Sequence, residues 1–202
     1  MFGRRAARRD AKRYRRKGLD DTARKMVEFL RTRGVAGMQI LDVGGGVGAL
    51  DVELVKAGAE RAVDVELSPD YADAARELWR EAGVADRIEF RVGDVAADGR
   101  EIGPADAVVM HRVVCCYPDP DALVGAASDR ARRFLVMTFP RERLFVRIGL
   151  GAVNLLARAL RWEYRSYVHP VDEIVAAAER RGLTRALEWR GLVWQLAALE
   201  RA

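Results

Sequence analysis

Apolar and polar positions along this chain change period several times, and each change marks an element. From Asp20, the run DDTARKMVEFLRTRG puts Met26, Val27, Phe29 and Leu30 on one side, with Asp20 as N-cap and Gly34 as stop. That spacing predicts a helix. MQILDV reads as a short apolar strand, ALDVELVKAG as a helix ending at Gly58, and ERAVDVEL as a second strand. SPDYADAARELWREAG has Ser68 as cap, Pro69 at the first helical position and Gly83 beyond the end, a further helix. DRIEFRVGD, ADAVVMH and RFLVMTF are strands three to five, with the helix PDALVGAASDRAR between the last two. HPVDEIVAAAERRG is a helix, and TRALEWR and LVWQLAALE, joined around Gly191, permit an antiparallel hairpin. Strands alternating with helices at this spacing predict an α/β fold: a doubly wound, seven-stranded, mostly parallel sheet. Residues 20–202 form one domain in this reading, preceded by a basic arm, residues 1–19.

Composition changes the picture mainly at the N-terminus. Half of the 202 residues are hydrophobic and 32% are charged, an ordinary balance for a soluble domain with a real core. The net charge of +5 is unevenly spread: residues 1–17 hold nine Arg/Lys and one Asp, a local +8 that leaves the rest at −3. Such a run is read as a solvated tail, as an arm folding over an anionic ligand, or as attraction to nucleic acid or a membrane surface. No apolar leader core is visible in MFGRRAARRDAKRYRRKG, so a cytoplasmic protein is expected. Adjacent Cys115 and Cys116 give neither a disulfide framework nor a zinc set, and no metal is expected.

The chemistry concentrates at ILDVGGGVGALDVELV, residues 40–55. Four glycines within five residues are costly to order and let backbone N–H groups approach a ligand without a Cβ in the way. A helix follows, and its N-terminus favours a negative group. Gly44-x-Gly46-x-x-Ala49 fits the dinucleotide fingerprint; Asp42-x-Gly44-x-Gly46-x-Gly48 fits equally. The second register, together with VDVELSPDY, VGD and PADAVVMH, resembles the class I S-adenosylmethionine (SAM) methyltransferases over roughly residues 38–140. The resemblance implies a Rossmann-like class I methyltransferase fold with SAM as cofactor. It places Asp42, Gly44, Gly45 and Gly46 around the cofactor, Glu66 beside Leu67 on the ribose, and Asp94 beside Val95 at the adenine. Asp64 is the alternative ribose ligand, and Asp42 orients the loop or the ligand's ammonium.

A sulfonium methyl is already activated, so such an enzyme needs chiefly a placed nucleophile and a dry site. His111 ends strand four and points toward the expected cleft. It is a candidate catalytic base, a cofactor or substrate hydrogen-bonder, or a structural histidine. Cys115 and Cys116 read as small packing residues, and YPDP is not the signature of amino-methylating nucleic-acid enzymes. VVCCYPD, TFPRERLF and YRSYVHPVDEIVAAAERRGL further resemble the magnesium-protoporphyrin O-methyltransferases, with Cys116 and Gly45 standing where that family has His and Cys. This likeness implies a planar or lipophilic acceptor, O-methylation, and acceptor contacts at Tyr117, Arg165, Tyr167 and His169, with Tyr14 contributed by the arm.

Residues 141–168 read as a helical, lid-like segment. Arg143, Arg147, Gly151, Asn154, Arg158 and Arg161 fall within roughly 80° on a helix whose other positions are almost wholly apolar. Embedded arginines exclude a spanning helix. The open readings are a helix packed on the sheet or at a homo-oligomer interface, a lid, or an in-plane membrane helix. The expected partner is a small-molecule acceptor; nucleic acid is disfavoured. A nucleotide-dependent oxidoreductase and a non-catalytic SAM-binding protein are the alternatives.

Overall fold

The computed structural model describes residues 3–97, 102–160 and 165–202, so Arg161 and residues 161–164 of the lid-like segment lie outside the described residues. One seven-stranded sheet runs β3-β2-β1-β4-β5-β7-β6. Its strands are β1 (Gln39–Val43), β2 (Arg61–Glu66), β3 (Ile88–Val92), β4 (Ala105–His111), β5 (Ala131–Pro140), β6 (Leu183–Arg190) and β7 (Trp194–Arg201). The first five pair in parallel, and β7 runs antiparallel to both β5 and β6. The helices are α1 (Arg4–Lys17), α2 (Asp21–Thr32), α3 (Ala49–Lys56), α4 (Ala72–Glu81), α5 (Pro120–Arg130), α6 (Leu144–Ala159) and α7 (Val171–Glu179). Pro69–Tyr71 form a short 3₁₀ turn leading into α4, where the sequence predicts the helix to begin directly.

Strand alternation splits the core. Ile40, Val109 and Val136 face one layer with α2, α3 and α4; Leu41, Val108 and Leu135 face the other with α5 and α7. Because side chains alternate across a strand, central strands buried on both sides must be apolar throughout. In β4, Ala107 to Met110 are completely buried. The chain winds outward from β1 to β3, then returns to place β4 beside β1. The strand carboxyl ends at that reversal open a crevice, the usual ligand position in such sheets.

The basic arm is a docked helix. Ala6, Ala7 and Ala11 are buried in a seam against α4, where small side chains permit close approach. Arg15 reaches Glu81 at 2.7 Å, an exposed pair that orients more than it stabilises. Tyr14 Oη donates to Glu53 at 2.5 Å and Tyr71 Oη to Asp10 at 3.2 Å, tying α1 to α3 and to the turn after β2.

Candidate active site

The glycine loop joins β1 to α3. Gly44, Gly46 and Gly48 all have positive φ, between 62° and 71°. A Cβ on Gly48 would meet Trp79 Nε1 at 2.5 Å, and that indole already donates to Val47 O at 3.1 Å. Gly45 has ordinary φ, but its Cβ would lie 2.5 Å from Asp64 Oδ1 and 2.8 Å from Asp42 Oδ2. Steric closure over two carboxylates therefore selects glycine there. At the tip of β2, Glu66 Oε2 accepts the Gly46 N–H at 3.2 Å and Oε1 accepts the Ser68 N–H at 3.0 Å. Burial raises the Glu66 pKa against these backbone donors. Each oxygen keeps further acceptor capacity.

A cavity of about 750 Å³ lies above this loop. Asp42, Gly44, Gly45, Gly46, Glu66 and Leu67 line it from the first two strand ends. Asp94, Val95, His111 and Tyr117 line it from the third and fourth, and Arg9, Asp10, Arg13 and Tyr14 from α1. Asp64, the alternative ribose ligand, is fully buried beneath the loop and is not among these lining residues. Asp94 Oδ1 accepts Ala96 N–H at 2.9 Å, while Oδ2 accepts Tyr117 Oη at 3.0 Å. Burial and that hydrogen bond push the Tyr117 phenol up to about 12, so it remains a donor. Tyr117, expected at the acceptor, thus closes over the acid expected at the adenine.

Arg165, Tyr167 and His169 are not among the described residues that line this cavity. Tyr167 N–H donates to Cys115 O at 2.6 Å, His169 Nε2 meets Tyr117 O at 3.0 Å, and the two rings stack 5.4 Å apart. They form a backing layer for the loop Val113–Tyr117, while Arg165 is exposed. Local motif likeness carried their identity but not which layer they occupy. The free thiol of Cys115 is buried and hydrogen-bonded to that of Cys116, and both effects raise its pKa and keep it a thiol.

His111 is held at both ring nitrogens: Nδ1 by Thr138 Oγ1 at 3.0 Å and Nε2 by Asp20 Oδ2 at 3.1 Å. Thr138 Oγ1 also accepts the Arg112 N–H at 2.9 Å, so its hydroxyl proton is available for Nδ1, and Nε2–H for Asp20. With both nitrogens so engaged, the ring has no vacant lone pair for a substrate proton. Burial opposes Asp20 ionisation, yet the hydrogen bond and electrostatic attraction of His111, with hydrogen bonds from Thr22 and Ala23, hold it well below the usual carboxylate range. Its other oxygen caps α2.

Four residues escaped the sequence reading as site members: Asp20, Arg13, Arg112 and Trp194. Arg112 has φ 62°, the one positive value on a non-glycine among the described residues. Such strain is uncommon and marks functional positions. Its guanidinium lies 3.1 Å from Asp20 and 4.4 Å from the Trp194 ring centroid. Burial lowers its pKa, and its Nε is buried with no hydrogen-bond partner among the described residues. No periodicity signals this contact; only adjacency to His111 at a strand end hints at it.

Residues 40–135 match a family model described as a methyltransferase domain. The ubiquinone biosynthesis O-methyltransferase of Xanthomonas euvesicatoria is 27% identical over 78% of this chain and 67% of its own length. That of Methylococcus capsulatus is 34% identical over 52% and 44%. Over the first three such relatives the chain spans 59% to 67% of their length. The magnesium protoporphyrin IX methyltransferase of Synechocystis PCC 6803, crystallised with S-adenosylhomocysteine, aligns at TM-score 0.73 and 21% identity, covering 90% of this chain and 82% of that one.

Proposed function

We propose, from the premise that this chain carries a methyltransferase domain in a class I fold, that it moves the methyl group of SAM to an oxygen of a small apolar or aromatic acceptor. The observation that carries the reading is one cavity joining Glu66, Asp94 and the Gly44–Gly46 loop to an apolar wall edged by the cations Arg13 and Arg112. The residues present fit the cofactor. Glu66 offers acceptor lone pairs for ribose hydroxyls, Asp94 accepts from an adenine amine, and the orphaned carboxylate of Asp42 suits an ammonium. When bound, SAM supplies a methyl group on a positively charged sulfur that leaves as a neutral thioether.

The acceptor end is lined by Leu19, Val113, Cys116 and Trp194, with Arg13 and Arg112 as cations. An acceptor oxygen that ionises readily, a phenol or a carboxylic acid, needs no dedicated base here. Arg112 holds it as the anion, and the apolar wall excludes water. His111 acts through Asp20, orienting Arg112. O-methylation also agrees with the name of the ubiquinone biosynthesis O-methyltransferases to which the chain is similar.

Calorimetry tests the cofactor: SAM and S-adenosylhomocysteine are expected to bind and NAD(P)H to give no heat. Binding of NAD(P)H alone would favour the oxidoreductase reading; SAM binding without turnover of any phenol or carboxylic acid, the non-catalytic one. For Arg112→Gln, acceptor kcat/KM is expected to fall by roughly 10- to 100-fold, the worth of one charged hydrogen bond, with SAM affinity nearly unchanged. Deleting residues 1–17 is expected to reduce acceptor turnover much more than SAM binding, because α1 walls the cavity through Arg9, Arg13 and Tyr14. Equal loss of both would count against α1 as a cover for the acceptor.

A further inference from the structure

Helix α6 exposes what helices normally bury. Leu144, Ile148 and Leu155 are 63–74% exposed, and Phe145, Leu156 and Leu160 are 48–56% exposed. At about 100° per residue these positions, with the small residues between them, fill a continuous arc of roughly 160°. Only a narrow strip faces the protein: Val146 and Ala157 are buried, and Asn154 exchanges hydrogen bonds with the Ser166 backbone at 2.7 and 2.8 Å. The expected packing of this helix on the sheet is therefore not what the structure shows. Arg147 and Arg158 sit together beside one edge of the apolar arc, and no acidic residue occurs from Arg143 to Leu160. The nearest carboxylate, Glu142, is turned back to accept the Val171 N–H at 2.6 Å.

The patch continues onto the β6–β7 turn. Leu192 is 70% exposed, and Arg141 N–H donates to Val193 O at 2.8 Å. Both features lie at the cavity's edge of the sheet: α6 follows the carboxyl end of β5, and Val193 precedes Trp194, which lines the cavity.

We propose that α6 and the Leu192–Val193 turn form a docking surface for an anionic lipid bilayer. Their apolar half lies in the interface, and Arg147 and Arg158 meet headgroup phosphates. An exposed apolar patch of this size rimmed by polar residues marks an interaction site. Apolar residues bordered by arginines match an in-plane helix on an acidic surface. A second copy of this chain fits less well: a twofold contact is self-complementary, and α6 brings arginines to the interface with no carboxylate of its own, among its described residues, to meet them. Spanning is excluded by length, since no helix among the described residues is long and apolar enough to cross a membrane. Docking would hold the cavity beside the lipid, the natural reservoir of an apolar acceptor. The inference stands on the surface of α6 and does not require the methyl-transfer reading.

Flotation of the full chain tests it, with phosphatidylcholine vesicles with or without phosphatidylglycerol. Binding is expected to the mixed vesicles, to be at least ten-fold weaker on phosphatidylcholine alone, and to weaken with salt. The double variant Ile148→Glu, Leu155→Glu is expected to abolish binding with an unchanged melting temperature, because both side chains are exposed. Arg147→Gln with Arg158→Gln is expected to reduce the preference for anionic vesicles. The proposal is overturned by absence of binding to either vesicle, or by binding that survives the double glutamate variant, which would assign the attraction to the basic α1. It is overturned equally by a dimer in solution that the same variant dissociates, which would assign the face to a second copy.

Discussion

Replacing Glu66 with alanine is expected to weaken SAM binding by roughly 100-fold or more. Two effects combine. Glu66 Oε2 accepts the Gly46 N–H and Oε1 the Ser68 N–H, so the carboxylate fixes both the glycine loop and the turn after β2. The same carboxylate is the acceptor offered to the ribose hydroxyls, and each hydrogen bond to a charged group is worth about 1.5–3 kcal/mol. Glu66→Gln retains the shape but loses the charge and one acceptor atom, so a loss of about ten-fold is expected. Gly46→Val attacks the same cradle by another route. A Cβ at Gly46 meets nothing nearer than Tyr71 at 3.5 Å, so packing permits it, but φ of 65° does not suit a β-branched residue. SAM calorimetry on variants with unchanged circular dichroism is the measurement. Wild-type affinity in folded Glu66→Ala would remove the ribose assignment and with it the proposed function.

The parts of this molecule legible in its sequence are those written in local chemistry. The period-two strands, the Asp20 cap and the glycines after helices all act within a few residues, and the sheet with its single reversed strand follows from them. The strand-end acids were legible because Glu66 and Asp94 sit where β2 and β3 stop. What stayed hidden depends on tertiary contact. Asp20 and His111 are 91 residues apart, and nothing local pairs them. The arm's charge masked its packing seam, although Ala6, Ala7, Ala11 and Tyr14 share one side of a helix. Likeness of motif offers Arg165, Tyr167 and His169 as acceptor contacts but cannot show that Tyr167 and His169 also hold the backbone of Cys115 and Tyr117. Periodicity shows an apolar face on α6, but burial is decided by what lies opposite, and much of that face stays exposed.

Beneath the glycine loop, stability is expected to fall as pH rises from about 4 to above 7, and Asp51→Asn is expected to make that slope shallower. Asp42, Asp51 and Asp64 are at most 1% exposed, and none of their six carboxylate oxygens has a hydrogen-bond partner among the described residues. Burial raises all three pKa values; mutual repulsion raises Asp42 and Asp64 further, and Asp51 stands at about 7. The direction of the linkage follows from proton uptake. Between the unfolded value near 3.8 and the folded value near 7, the folded chain holds the Asp51 proton and the unfolded chain has released it. The contribution is fully present below the unfolded value and is lost as pH climbs through the folded one. For Asp51 alone the difference is on the order of 4 kcal/mol, or about 10 °C in melting temperature for a domain of this size. Asparagine has the same shape, carries no charge, and can donate its amide hydrogens to the neighbouring acids. The gap between melting curves at pH 4.5 and pH 8 is therefore expected to narrow in Asp51→Asn, with the gain at pH 8, while Asp42 and Asp64 keep the remainder. Asp20, held far below its usual value, supplies the opposite slope only at acid pH, so it does not mask the effect between 5 and 8. An unchanged difference between the two pH values would mean that Asp51 does not carry its proton in the folded state.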